Sequence, residues 1–471
     1  MEYEMNHDMI WQWLIGHFEI LAGFLIGVIL IIRVLTQRRS PTGTLSWLLV
    51  IVLMPYVGVP LYLMFGGRKL KRQAGRKMDL DLTCDGQRFN VERTYLDELL
   101  ESYGLPPACQ ENRLEFCFDG QDTYRRLADM IENAQKSIYI STFIFRRDSV
   151  GKDILGRLVN KARQGIDVRV LLDGFGSMWT GRRFFVPLVK GGGRYAFFIP
   201  LLHWPFRGRT NLRNHRKMVI VDRETVMAGG TNIGGEYLGL NPSPKRWQDL
   251  SFILKGPAVR FYLEIFRSDW FFAVGQQDEP VEIENKSLGS VENPAVVQVV
   301  PSGPDVPGDA LYDAILTAMF NAYRRICIVT PYFVPDEPLL KALKLAVRKG
   351  VDVRIIVPAK SNHPLTDLVR GAYLREIHQV GAKVLFYTPG MIHAKAILID
   401  DNITMVGSAN MDFRSLFLNY EVMLVAYSRP HIQQVQSWFG RMELQCAHPC
   451  LAAGRIRIFI EHLTRLFAPL L

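Results

Sequence analysis

The stretch NHRKMVIVD at residues 214–222 returns as IHAKAILID at residues 392–400. Both hold His, Lys and Asp at one spacing: His215, Lys217 and Asp222 in the first, His393, Lys395 and Asp400 in the second. Four apolar residues follow each lysine (218–221 and 396–399), which reads as the interior of a buried strand. In extended chain His and Lys, two residues apart, project from one face and can build a site together. Asp, five residues beyond Lys, falls on the other face or past the strand end, and is expected to brace the site rather than touch a substrate.

Outward from the motifs, the likeness continues. Each is followed by a Gly-containing segment, GGTN at 229–232 and GSAN at 407–410, with ten residues from Asp to Asn in both. A lone His-x-Lys pair is usually a surface accident; two copies with the same sequel are not. Upstream, SIYISTFIF at 137–145 corresponds to RICIVTPYF at 325–333, and RQGIDVRVLL at 163–172 to RKGVDVRIIV at 348–357. In the second pair a glycine ends a helix and an alternating strand begins. Two such matches in the same order imply a duplication. Short β-rich runs alternate with amphipathic helices, which predicts an α/β class: two similar halves, each a sheet flanked by helices, at 113–275 and 294–445, forming one pseudo-twofold body. The polar, acidic stretch 276–293 reads as the linker between them. Residues 446–471 form a C-terminal amphipathic tail; its basic and apolar residues from Arg455 onward suit either a membrane surface or a helix docked on the body.

Residues 1–67 are read as an N-terminal transmembrane helical hairpin. The segment TLSWLLVIVLMPYVGVPLYLMF at 44–65 carries no charge and is long enough to span a bilayer; the apolar core at 20–32 is shorter. Pro55 and Pro60 would kink the second helix, so a re-entrant or interfacial hairpin stays open. Glu2, Glu4 and Asp8 precede any basic residue, unlike a cleaved signal peptide. Residues 68–112 begin as a basic juxtamembrane linker. Arg68, Lys69, Lys71, Arg72, Arg76 and Lys77 outnumber Arg33, Arg38 and Arg39 of the connecting loop, placing the body in the cytoplasm by the positive-inside rule.

Over 471 residues the formal charge is +10, which suits a partner bearing phosphates, whether anionic lipid or nucleic acid. Six cysteines without framework spacing favour a reducing compartment. Cys446, His448 and Cys450 fall short of a closed zinc site, so no metal is assigned.

The motif chemistry fits a phosphodiester. Lys217 and Lys395, with the amides of Asn232 and Asn410, can neutralise its oxygens. One histidine can attack phosphorus to form a phosphohistidine while the other protonates the departing oxygen and later deprotonates the incoming alcohol. No cofactor is required. Each motif supplies one histidine, so the catalytic pair must come from both halves.

These motifs resemble those of the phospholipase D superfamily, and along nearly the whole chain the resemblance is to bacterial cardiolipin synthases. It is carried by 44–67, TPYFVPD at 330–336, GSANMDFRS at 407–415, NYE at 419–421 and the ending RLFAPLL at 465–471. It implies a phosphatidyl transfer between two phosphatidylglycerol molecules that yields cardiolipin and glycerol. It also implies His215 as nucleophile, His393 as general acid/base, Asp249 and Glu421 as residues orienting the histidines, and Ser408 beside Asn410 at the phosphate. The partners it implies are phosphatidylglycerol and anionic membrane lipid rather than nucleic acid, at the bacterial inner membrane as a multi-pass protein with a cytoplasmic body. Gly235 stands where the family commonly has an acidic residue, and WQDLS at 247–251 lacks the histidine that often follows the Asp. The alternatives are a phospholipase D that hydrolyses phospholipids and a membrane-bound nuclease. The apolar run Phe197, Phe198, Leu201, Leu202, Trp204 and Phe206 suits acyl chains or plain core, and Arg207, Arg209 and Arg213 are candidates for lipid phosphate.

Overall fold

The structure, a computed structural model, describes residues 7–36, 41–65, 77, 80, 82, 94–199, 212–275, 293–448 and 451–465. The linker at 276–293, apart from its last residue, and the segment 200–211 with Leu201, Leu202, Trp204, Phe206, Arg207 and Arg209 lie outside the described residues. So do the juxtamembrane basic residues other than Lys77. The chain divides into two compact units, Met1–Arg68 with Leu202–Asn211, and Lys69–Leu201 with Leu212–Leu471.

In the larger unit the first half supplies strands β1 (Cys109–Cys117), β2 (Ser137–Thr142), β3 (Asp167–Leu172), β4 (Arg194–Phe197), β5 (Met218–Val221), β6 (Thr225–Gly229) and β7 (Ser251–Lys255). The second supplies β8 (Ala295–Ser302), β9 (Arg325–Val329), β10 (Phe333–Val334), β11 (Asp352–Pro358), β12 (Lys383–Tyr387), β13 (Ala396–Ile399), β14 (Ile403–Gly407), β15 (Met411–Asp412), β16 (Glu421–Ala426) and β17 (Cys446–Ala447). Fifteen of them form one sheet, β17-β12-β11-β9-β13-β14-β16-β8-β1-β7-β6-β5-β2-β3-β4. From the centre outward the order is the same on both sides: β1-β7-β6-β5-β2-β3-β4 and β8-β16-β14-β13-β9-β11-β12. The equivalent strands β1 and β8 pair antiparallel at the seam, as a twofold relation requires. The body's ordered elements begin before residue 113, with the helix Tyr95–Ser102 and the start of β1.

The alternation along the strands sorts their side chains into two layers. On β5, Val219 and Val221 join Leu127, Ile131, Leu155 and Leu158 of the helices Gly120–Asn133 and Ser149–Arg163. Met218 and Ile220 face the other way, with Phe261, Ile265 and Phe266 of the helix Val259–Val274. This is why 218–221 is apolar at every position rather than at every second one. The parallel pairs β2–β3 and β9–β11 are crossovers through the helices Ser149–Arg163 and Glu337–Arg348. Both helices are followed by a glycine at positive φ, Gly165 at 85° and Gly350 at 87°, a conformation other residues adopt at a cost.

Asp222 and Asp400 end the motif strands and lock them to the neighbouring β2 and β9. The Asp222 carboxylate accepts the backbone N–H groups of Gln135, Lys136 and Ser137 at 2.6–3.0 Å. Asp400 accepts those of Tyr323, Arg324 and Arg325 at 2.8–3.3 Å. Their own N–H groups donate to Ser137 and Arg325 carbonyls. Both residues sit at positive φ, 53° and 50°.

The smaller unit departs from the predicted hairpin. Residues 44–65 do not form one spanning helix: the chain makes the helix Pro41–Leu53, leaves helical geometry at Met54, and begins a second helix, Pro55–Phe65. The cause is Pro55, which has no N–H to continue the ladder and disfavours helix at the residue before it. The two short helices fold tightly together, and a Cβ on Gly58 would lie 2.3 Å from the Val50 carbonyl oxygen. Among the described residues no helix is long and apolar enough to cross a membrane. Leu30, Val34, Ile51 and Tyr62 make a small core between these helices and the helix His7–Thr36.

Replacing Asp222 or Asp400 with Ala leaves three backbone donors without their charged acceptor. Each substitution is expected to cost about 2–3 kcal/mol and to lower the apparent melting temperature of the purified protein, while turnover per folded molecule falls far less than on loss of a motif histidine. Unchanged melting with abolished turnover would instead make the aspartates part of the chemistry.

Candidate active site

His215 and Lys217 lie on the extended approach to β5, and His393 and Lys395 on the approach to β13. Each approach is pinned to the opposite half. The His215 N–H donates to the Tyr420 carbonyl and the Tyr420 N–H to that of Arg213, both at 2.9 Å. The His393 N–H donates to the Gln248 carbonyl at 2.7 Å and the Gln248 N–H to that of Met391 at 2.8 Å. The residues next in sequence to Tyr420 and Gln248 are Glu421 and Asp249, so the backbone bridges deliver a carboxylate to each imidazole. Glu421 Oε1 and Oε2 lie 2.9 and 3.0 Å from His215 Nδ1. Asp249 Oδ2 lies 2.8 Å from His393 Nδ1. The pairing is crosswise: each half orients the other half's histidine.

With Nδ1–H given to a carboxylate, the Nε2 lone pair of each ring is left for chemistry. Edge-to-face contacts fix the rings further: Phe143 is 4.9 Å from His215, and Tyr237 is 5.1 Å from His393. Lys217 Nζ donates to its own motif's His215 carbonyl at 2.6 Å, and Lys395 Nζ does the same to His393.

Burial dominates the electrostatics. It drives His215 down to about 4, partly offset by Glu421 and reinforced by Lys217, and also by Lys395 of the other half. It drives His393 down to about 3, with Lys395 adding to the fall and Asp249 opposing it. Lys217 is lowered to about 7 and Lys395 to about 8, again first by burial. Burial alone would raise Glu421 and Asp249, but the adjacent histidine and lysine hold both below the usual carboxylate range. The site is thus two neutral imidazoles flanked by two lysines that lose charge readily, an arrangement that an arriving phosphate anion would stabilise in its charged forms.

The other expected site residues surround this group. Ser408 Oγ accepts the Val422 N–H at 3.0 Å and also bonds Glu421, steadying the carboxylate behind His215. Asn232 is buried, and its side-chain oxygen accepts the Ile144 N–H at 3.1 Å; Asn410 is buried and bonds Asp412. Arg213 is buried beside Asp173, 4.0 Å away, and its Nη1 donates to the Ile199 carbonyl, which ties it to the protein. At Gly235 the N–H donates to Asp148 Oδ2 at 2.6 Å, and a Cβ would stand 3.2 Å from that oxygen. An acidic side chain there would meet a carboxylate, a physical reason for glycine.

Behind His215 lies a charge network that motif reading misses. Arg216 is fully buried and reaches Asp269 at 2.8 Å and Asp305 at 3.3 Å, while its Nε donates to the Glu421 carbonyl at 3.1 Å. Lys77 pairs with the same two aspartates. Asn214 Nδ2 donates to Asp269 at 3.0 Å. Two cations and two anions balance in a dry setting, where removal of one partner would strand a buried charge. In sequence Lys77 is one of a basic run, and nothing in that run marks it as a buried counter-ion.

A histidine pair shared between duplicated α/β halves, each ring backed by a carboxylate and flanked by a lysine, defines a phospholipase D-type phosphotransfer enzyme. The comparisons agree. The family model for the cardiolipin synthase PLD-like domain matches residues 127–270 and 315–443, and the phospholipase D-nuclease N-terminal model matches 25–67. Cardiolipin synthase 1 of Bacillus cereus is 34% identical over 86% of this chain and 83% of its own, and the major cardiolipin synthase ClsA of Bacillus subtilis 34% over 88% and 90%. Cardiolipin synthase A of Pseudomonas entomophila is 31% identical over 97% and 99%. The fold is similar to that of phosphatidylserine synthase from Haemophilus influenzae, with a TM-score of 0.60 and 14% identity over 80% of this chain and 100% of that one. The chain belongs to the cardiolipin synthase family of the phospholipase D superfamily.

Because the lysine pKa values are lowered, their charge is lost as pH rises through about 7 and 8, whereas the histidines are neutral from about 4 upward. Because His393 is neutral in the free enzyme, the proton it donates is taken up as substrate binds, so kcat/KM is expected to fall as pH rises from weak acid and to fall more steeply between pH 7 and 9 as the lysines lose charge. A flat profile to pH 10 would contradict this.

Proposed function

We propose that the chain is a cardiolipin synthase acting on phosphatidylglycerol, with His215 as nucleophile and His393 as general acid/base. The observation that carries the reading is the pair of crosswise-supported imidazoles, each held at Nδ1 by the other half's carboxylate. A first phosphatidylglycerol places its phosphodiester between Lys217 and Lys395, with Asn232 and Asn410 alongside. The added negative charge favours a proton on His393, whose imidazolium Asp249 supports. His215 Nε2 attacks phosphorus, the bond to the terminal glycerol breaks, and His393 gives its proton to the departing glycerol oxygen. A second phosphatidylglycerol then offers its free hydroxyl. His393 takes that proton, the oxygen displaces His215, and cardiolipin leaves with the enzyme restored.

Membrane association belongs to the same reading. The N-terminal helices expose Leu21, Phe24, Ile29, Ile32, Val52 and Leu53, each more than half exposed, far more apolar surface than their small core can use. We assign residues 1–67 to the cell membrane and residues 113–275 and 294–445 to the two catalytic halves. Residues 68–112 join membrane to body, 276–293 join the halves, and the basic residues after 67 set the body on the cytoplasmic side.

Hydrolysis differs only in the second acceptor. Purified protein incubated with head-group-labelled phosphatidylglycerol and chelator is expected to yield cardiolipin and free glycerol in equal amounts. Phosphatidic acid as the main product would make the enzyme a hydrolase.

A further inference from the structure

The C-terminal helix, Arg455–Arg465, is docked with its polar side inward. Glu461 is fully buried in a seat on the helix Pro364–Gln379. Arg375 reaches its Oε2 through both terminal nitrogens at 2.6 and 2.7 Å, and Arg457 Nε donates to Oε1 at 2.9 Å. The seat depends on Gly371, where a Cβ would stand 2.7 Å from Glu461 Oε1. Arg465 completes the contact, 3.3 Å from Glu376 and over the Tyr373 ring at 4.3 Å.

This anchor fixes which face looks out. At about 100° per residue, Ile456, Phe459 and Leu463 lie roughly 140–160° around the helix from Glu461, and Ile460 about 100°. They are exposed by 79%, 68%, 50% and 41%. An amphipathic helix normally buries its apolar stripe; here a buried carboxylate holds that stripe in the open. The exposed charges beside it are basic, Arg455 and Arg457, while Glu461 is neutralised inside.

We propose that this helix is an interfacial anchor that lays Ile456, Phe459, Ile460 and Leu463 into the acyl boundary of an anionic bilayer, with Arg455 and Arg457 at the phosphates. Charge selects this occupant. Two copies packed stripe to stripe would bring like charges together, and four side chains offer less than the roughly 1,000 Å² that a stable protein interface needs. An apolar stripe with flanking arginines is the composition of helices that lie in the membrane plane. The proposal rests on the reading of the protein as an enzyme of membrane lipid, and gives the body a second contact with the surface besides residues 1–67.

The test uses the full chain in vesicles, with Phe459→Cys carrying an environment-sensitive fluorophore at this exposed position. In phosphatidylglycerol-containing vesicles the emission should shift to the blue and be quenched by a lipid-borne quencher, not by aqueous iodide. Vesicles of phosphatidylcholine alone should show little of either. The label reports on the helix whatever substrate the active site takes, so it can fail while the enzymatic reading stands, and the reverse. A label that stays in water in anionic vesicles overturns the proposal. So does an equal shift in both lipids, or a shift that follows protein concentration without lipid. As a second measurement, Phe459→Ser with Leu463→Ser should raise KM for bilayer phosphatidylglycerol about tenfold while leaving turnover of monodisperse short-chain lipid unchanged. Equal loss on both forms would also count against it.

Discussion

The site depends on two exchanged hydrogen bonds, Glu421 with His215 and Asp249 with His393. Neither half holds a working histidine alone, because the carboxylate that fixes each ring's tautomer and direction comes from the other. The exchange is a property of the sheet. The central order β7-β1-β8-β16 brings the segments bearing Asp249 and Glu421 together across the β1–β8 seam. Antiparallel pairing of equivalent strands makes the exchange reciprocal. The isolated backbone bridges Asn214 to Tyr420 and Gln248 to Ile392 are then the same contact made twice.

From that arrangement the electrostatics follow. Bringing two histidines and two lysines into one buried space is unfavourable for every positive charge, which is why all four fall below their ordinary pKa values. The strain is useful, since a phosphate anion supplies the missing counter-charge only when substrate is bound. The layer behind His215 is built on the opposite logic. Arg216 and Lys77 face Asp269 and Asp305 in a network already neutral without ligand, so it holds the Glu421 backbone in place and need not respond to substrate.

Much of the fold was legible because local pattern and tertiary role coincide. The runs 218–221 and 396–399 are apolar at every position since both sheet faces are covered, and Gly165 and Gly350 mark helix ends that only positive φ can make. The order of the duplicated segments then implied one shared site. What linear order cannot carry is which carboxylate meets which histidine, because Asp249 and Glu421 each follow their own motif in sequence and meet the other in space. Lys77 was hidden for a similar reason: within a run of basic residues, burial is set by distant Asp269 and Asp305. The segment 44–65 was misread as one helix since apolar length outweighed Pro55, whose effect on Met54 decides the geometry. The C-terminal tail kept two readings open; the helix docks on the body, but through Glu461 rather than through its apolar side.

The crosswise support is tested most directly by burst kinetics on a phosphodiester whose leaving group is an activated phenol and needs no general acid. If Glu421 serves the nucleophile and Asp249 the acid/base, Asp249→Asn should resemble His393→Ala, keeping the initial burst of phenol while steady turnover collapses. Glu421→Gln should resemble His215→Ala and lose the burst itself. Asp249→Asn behaving like His215→Ala, and Glu421→Gln like His393→Ala, would contradict the exchange of carboxylates between the halves.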